Sequence, residues 1–175
     1  MIFSASKGMY TAVLLGEKTL TTRLKLPAHI AVGKEWAIVP KRASAAWWIG
    51  NEAGEWRICK YPHARVYTET TDVMPVSYVR RFFMERGYTQ ARVRIDAFWQ
   101  TSLQCMSELE ALEEGAGSVA EYAALWDSIN DRKGGRWADN PLVWRIRVSV
   151  PQDVAQAVSR VGKQAILDAA KVSTP

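Results

Sequence analysis

Two runs of alternating residues limit the folds open to this chain. In residues 92–99, Val93, Ile95, Ala97 and Trp99 fall on one face of an extended strand, and Arg92, Arg94 and Asp96 on the other. In residues 142–148, Leu142, Trp144, Ile146 and Val148 share a face in the same way. Between the two runs stand Ser107-x-x-Glu110 and Ser118-x-x-Glu121. Each is a capping box, in which hydroxyl and carboxylate satisfy opposite ends of a helix's first turn. The first predicts a two-turn helix closed by Gly115, the second a longer helix to about Asn130. Earlier, residues 45–49 and 55–61 flank Gly50-Asn51-Glu52-Ala53-Gly54 and predict a hairpin. No strand–helix–strand rhythm repeats, so the sheet is expected to be antiparallel or mixed, curled into a small barrel with helices at its ends. The fold class is therefore α+β.

Elements at either end fit this scheme. Met9, Val13 and Leu14 lie on one face of a short helix, and Gly16 follows where the left-handed C′ conformation ends a helix. From residue 19 to 26 the chain alternates, with Leu20, Leu24 and Leu26 on one side and Thr19, Thr21, Arg23 and Lys25 on the other. Gly33-Lys34-Glu35 is a turn into a strand over 36–39. Pro75 opens a helix over 76–86, and Pro151 opens a terminal helix with Val154, Val158, Val161 and Ala165 on its stripe. Residues 1–148 are expected to form one domain, with 149–175 a helical extension packed on it.

A chain of 175 residues suffices for one sizeable core, and its eight tryptophans favour a compact, aromatic-rich fold over disorder. Residues 1–65 carry ten Lys and Arg against four acids, a basic balance that suits an anionic partner such as nucleic acid. Cys59 and Cys105 stand alone, as reduced thiols of a cytoplasmic protein do. His29 and His63 bring no ligand cluster with them, so neither a metal nor another cofactor is expected. No run approaches the ~20 apolar residues of a membrane span.

Chemistry concentrates in Gly16-Glu17-Lys18-Thr19-Leu20-Thr21-Thr22-Arg23. Thr21 and Arg23 fall on one strand face roughly 7 Å apart, with Lys18 at the corner beside them. A cation, a hydroxyl and a guanidinium gathered there suit a phosphate, a carbonyl or a nucleobase edge. Lys25 continues the same face. Trp47 and Trp48 point to opposite faces of their strand, so one is free to stack a base beside Arg42 or Arg57. Trp36, Trp99 and Trp144 fall on apolar faces and read as core. Trp126 and Trp137 are expected to lock helix and loop together, and the loop 131–136 reads as basic and flexible, either a solvated loop or one that reaches a backbone phosphate. Glu113 and Glu114 end a helix at the negative end of its dipole, where a carboxylate is disfavoured and inclines to proton donation.

The pattern Gly16-x-Lys18-x-x-Thr21-x-Arg23 after a helix resembles the ASCH family, small β-barrels related to RNA-binding PUA domains. A second block, Glu121-Tyr122, Leu125 to Asn130, Trp137 and Asn140 to Trp144, is similar to the C-terminal half of ASCH proteins often found in phages and prophages. The resemblance spans about residues 1–148. It implies binding of single-stranded or modified RNA, or of a nucleoside, around Lys18, Thr21 and Arg23, by a monomer or homodimer; the strand reading above adds Lys25, Trp47 and Trp48 to the expected ligand contacts. Some small ASCH proteins resemble amidohydrolases acting on acylated cytidine. By that likeness Thr21 is the nucleophile, Lys18 its base and Glu114 the proton donor, with Glu114 the weaker positional match. A third reading is a phage-derived interaction protein without catalysis.

Overall fold

The alternating residues around 95 belong to the longest strand among the described residues. In the computed structural model, which describes residues 9–38, 44–49, 56–61, 64–65, 73–74 and 88–163, the elements run α1 (Met9–Leu14), β1 (Leu20–Arg23), β2 (Glu35–Ala37), β3 (Ser44–Ile49), β4 (Trp56–Tyr61), β5 (Ala64–Arg65), β6 (Val73–Met74), β7 (Thr89–Gln90), β8 (Arg92–Ser102), α2 (Glu108–Glu113), α3 (Val119–Ile129), a 3-10 turn (Trp137–Asp139), β9 (Leu142–Ser149) and α4 (Gln152–Val161). The expected helix over 76–86 and the hairpin loop 50–54 lie outside the described residues.

Four strands hydrogen-bond in the order β1-β9-β8-β2 as a curled antiparallel half-barrel, and α2 and α3 complete the expected α+β class. The chain divides into two compact units. The first holds α1, β2 to β7, the first two residues of β8, and α4. In it β3 pairs with β4 from Ser44 opposite Tyr61 to Ile49 opposite Trp56, which is the expected hairpin pairing. β7 joins the other edge of β3, and α4 lies against both β3 and β7. Arg92 bridges Glu35 and Asp153 within this unit.

The second unit holds β1, the rest of β8, α2, α3, the 3-10 turn and β9. Its sheet corrects the expected face of residues 92–99. Ile95 pairs with Val148 but Ala97 with Arg147, so Asp96 is an extra residue, a β-bulge. One inserted residue reverses every side chain after it. Ala97 and Trp99 therefore lie opposite in sense to Ile95, and Trp99 carries the Arg147 guanidinium 5.5 Å above its ring rather than sitting in the core. The Asp96 carboxylate holds the bulge by accepting from Arg94 Nε and the Ser149 hydroxyl, each at 2.9 Å.

Strand β9 departs from expectation at its start, where Leu142 is exposed and Val143 is core. Both faces of β9 carry buried residues, Val143 and Arg145 on one and Ile146 and Val148 on the other, and Val143 joins Leu103, Met106, Ala111, Ala116, Tyr122 and Trp126 in one cluster. Among the described residues no helix is long and apolar enough to cross a membrane.

Candidate functional site

The site is built where α1 gives way to β1. Gly16 takes φ +73, a conformation nearly closed to residues with a Cβ, and the chain turns out of the helix there. Thr19 then donates its N–H to Glu113 O at 2.9 Å and accepts from Val148 N–H at 2.8 Å. That fixes the backbone beside Lys18 between the end of α2 and β9.

Helix α2 begins with the full capping box expected of Ser107 and Glu110. It ends in a Schellman motif: Ala116 N–H donates to Ala111 O and Gly115 N–H to Leu112 O, both at 2.9 Å, with Gly115 at φ +88. Glu114 is the C-cap residue and is 6% exposed; Lys18 is 3% exposed. The Lys18 ammonium donates to the Glu114 backbone carbonyl and to its Oε2. A cation thus sits at the negative end of α2, supplying the counter-charge that a carboxylate there lacks. Glu114 Oε1 is buried and accepts no hydrogen bond.

Two more orphaned polar atoms lie in the same unit. In the rows across the sheet, Thr22 pairs with Arg145, and Arg145 with Trp99. Paired residues share a face. Arg145 is 2% exposed; its Nη1 donates to Glu110 Oε1 at 2.6 Å, while its Nε is buried without a partner. The Tyr122 hydroxyl comes to the Thr22 side chain without reaching normal bonding geometry, and Thr22 Oγ1 is buried and unpaired. Burial raises the Tyr122 pKa far above the ordinary tyrosine value, and the Glu114 charge adds to the rise; Thr22, Arg145 and Arg23 oppose it. For Glu110, burial is the largest single influence and acts upward. It is outweighed by the Ser107 N–H, the Arg145 charge and the hydrogen bonds from Ser107 and Arg145, so the Glu110 carboxyl lies below its usual range.

Lys18 and Glu114 are therefore in direct contact. Thr21 is also buried, but it pairs with Ile146, and Arg23 pairs with Trp144. The pleat turns both away from the face of Thr22 and Arg145. Thr21 and Arg23 thus share one face of β1, and the hydroxyl beside Tyr122 belongs to Thr22 on the other. Lys25 is exposed just beyond the strand. Trp47 and Trp48 lie in β3 of the first unit, opposite Ile58 and Arg57. Glu113 pairs with Arg147 at 2.8 Å.

Sequence reasoning missed Thr22, Tyr122 and Arg145. The available signal was Arg145 itself, a cation inside an apolar strand, which needs a buried partner such as the capping Glu110.

Trp126 and Trp137 lock helix and loop as expected. Trp126 Nε1 donates to Gly135 O at 2.7 Å, and Tyr122 meets both indoles with centroids 6.2 and 6.1 Å away. The loop they hold is not free, contrary to its reading as flexible. The Asp139 carboxylate accepts from Gly134 and Arg136 N–H, Trp137 N–H donates to Asp127, and Arg136 Nε donates to Asp131 O. Among the described residues no three of His, Cys, Asp and Glu gather as a metal ion requires.

No family model matches the chain, and no curated protein matches it. Among solved structures, the chain is similar to an ASCH domain from Lactobacillus crispatus JV V101, with a TM-score of 0.45 at 12% identity, covering 81% of this chain and 69% of that chain. The α+β class stated above rests on this chain's own strands and registers.

Proposed function

We propose that the protein binds a nucleotide base, free or modified or within RNA, at the buried Lys18–Glu114 pair. The observation that carries this reading is a desolvated ion pair that leaves one carboxylate oxygen, Glu114 Oε1, without a donor. An ammonium has three donors, and Lys18 commits two of them to Glu114. The pair thus offers an acceptor beside a donor. A cytosine edge presents the complement: an exocyclic amine, which carboxylates read, beside ring and carbonyl acceptors. The unpaired Thr22 hydroxyl adds a group able to give or to accept.

Calorimetric titration with cytidine tests the reading. Binding is expected for the native chain and is expected to be lost in Lys18→Met and in Glu114→Gln. Equal affinity in all three, or no binding to the native chain, overturns it. The contact between Lys18 and Glu114 also favours a second reading, an amidohydrolase acting on an acylated nucleoside, since these are two of the three residues the ASCH resemblance implies. That reading requires Thr21 as nucleophile; Thr21 is buried, on the face of β1 opposite to Thr22. Release of carboxylate from an N4-acylated cytidine, abolished by Thr21→Ala, is the result that would establish it.

A further inference from the structure

We propose that the loop from Asp131 to Arg136, together with Lys25, is a rail for the phosphodiester backbone of a single-stranded nucleic acid whose base is read at Lys18 and Glu114. This rests on the base-binding reading above. Three observations within the second unit lead to it.

The loop is pinned at several points by bonds that use acidic side chains on backbone N–H groups. Asp139 is committed to Gly134 and Arg136, and Asp127 to Trp137. Those two carboxylates are therefore held at the loop's base, and Asp131 is the acid left on its outer side. Arg132 and Lys133 are exposed at the tip, and neither forms an ion pair among the described residues. Cations held on a fixed backbone need little ordering when they meet a phosphate, and that raises affinity.

The loop also lies against the end of β1. A Cβ on Gly135 would come 3.5 Å from Leu24 Cδ1, which brings the cationic tip to the strand end that carries Lys25. Lys25 too is exposed and forms no ion pair among the described residues. The half-buried Trp137 ring borders the same loop. Cations tracking a backbone beside an aromatic ring are what single-strand binders combine. Arginine adds a planar fork that fits phosphate oxygens two at a time.

The test is fluorescence anisotropy with a short labelled oligocytidylate and its deoxy counterpart across a salt series. Each phosphate contact contributes ~0.7 to the slope of log K against log salt, so Arg132→Gln with Lys133→Gln is expected to flatten that slope by about 1.4. The charge-preserving pair Arg132→Lys with Lys133→Arg should retain it. Preference for one oligomer over the other identifies the sugar, and a loop-dependent slope with either supports the rail. An unchanged slope in the Gln variant overturns it. So does loop-dependent binding to phosphatidylserine vesicles with neither oligomer bound. Cytidine titration of the same variant separates the two proposals. If native protein binds oligomer through the loop but no cytidine, the rail stands and the base site fails. If cytidine binds and the oligomer slope is unaltered, the rail alone fails.

Discussion

Tyr122 shows how far a single buried group can be read. Its hydroxyl lies among Thr22, Arg145 and the Glu114 carboxylate, and burial holds it protonated well beyond the pH at which an exposed tyrosine ionises. In the unfolded chain the same phenol titrates near the ordinary tyrosine value of 10.0. A folded-state pKa above the unfolded one means that Tyr122 contributes fully to stability below about pH 10 and loses that contribution as pH rises further. Relative to Tyr122→Phe, the native protein is therefore expected to lose stability above about pH 10 by up to ~1.4 kcal/mol per pH unit. Urea unfolding of both proteins over a series of alkaline pH values measures this. A constant difference across that range would place the hydroxyl in solvent. The sequence marked Tyr122 only as part of the second block, beside Glu121 in the helix opened at Ser118. Its partners come from β1 and β9, and no local pattern announces a contact between residues so far apart in the chain.

At the scale of elements, α2 connects sequence to site most directly. Its start was legible, because Ser107 and Glu110 stand at capping-box spacing and form both bonds of the box. Its end was legible in Gly115. What the spacing could not give is the second partner of Glu110, the buried Arg145 guanidinium, since that contact depends on the register of β9. The same holds for residues 92–99: the alternation is visible, but the bulge at Asp96 is not, and it decides which face Trp99 occupies. Because α2 is only six residues long, its capping bonds are a large part of what orders it. Ser107→Ala removes the oxygen that accepts from Glu110 N–H and is expected to cost ~1 kcal/mol of stability. Cytidine affinity should fall as well, because Glu114 is carried at the far end of this helix. Thermal unfolding and calorimetry on the same variant check the two effects. Unchanged affinity with lowered stability would mean that Lys18, not α2, holds Glu114 in place.

For the whole molecule, division into two units makes ligand binding a spatially resolved measurement. Every group proposed to read a base, Lys18, Glu114 and Thr22, lies in the second unit, and so do the loop cations and Lys25. The sequence suggested a wider binding surface that included Trp47 and Trp48, because a basic N-terminal half with paired tryptophans resembles a nucleic-acid face. Those tryptophans belong to β3 in the first unit. A ligand that binds only the native state stabilises it by mass action, by about 2.7 kcal/mol when its concentration is a hundred times Kd. Hydrogen exchange with saturating cytidine should therefore slow in the amides of β1, α2 and β9 more than in β3 and β4, wherever exchange proceeds by local opening. The backbone N–H of Thr19, which donates to Glu113 O, is the most direct reporter, since it joins the Lys18 corner to the end of α2. Protection confined to β3, β4 and β7 would move the site to the first unit and remove Lys18 and Glu114 from it. Protection at Thr19 that disappears in Glu114→Gln would tie the ligand to the carboxylate rather than to the fold in general.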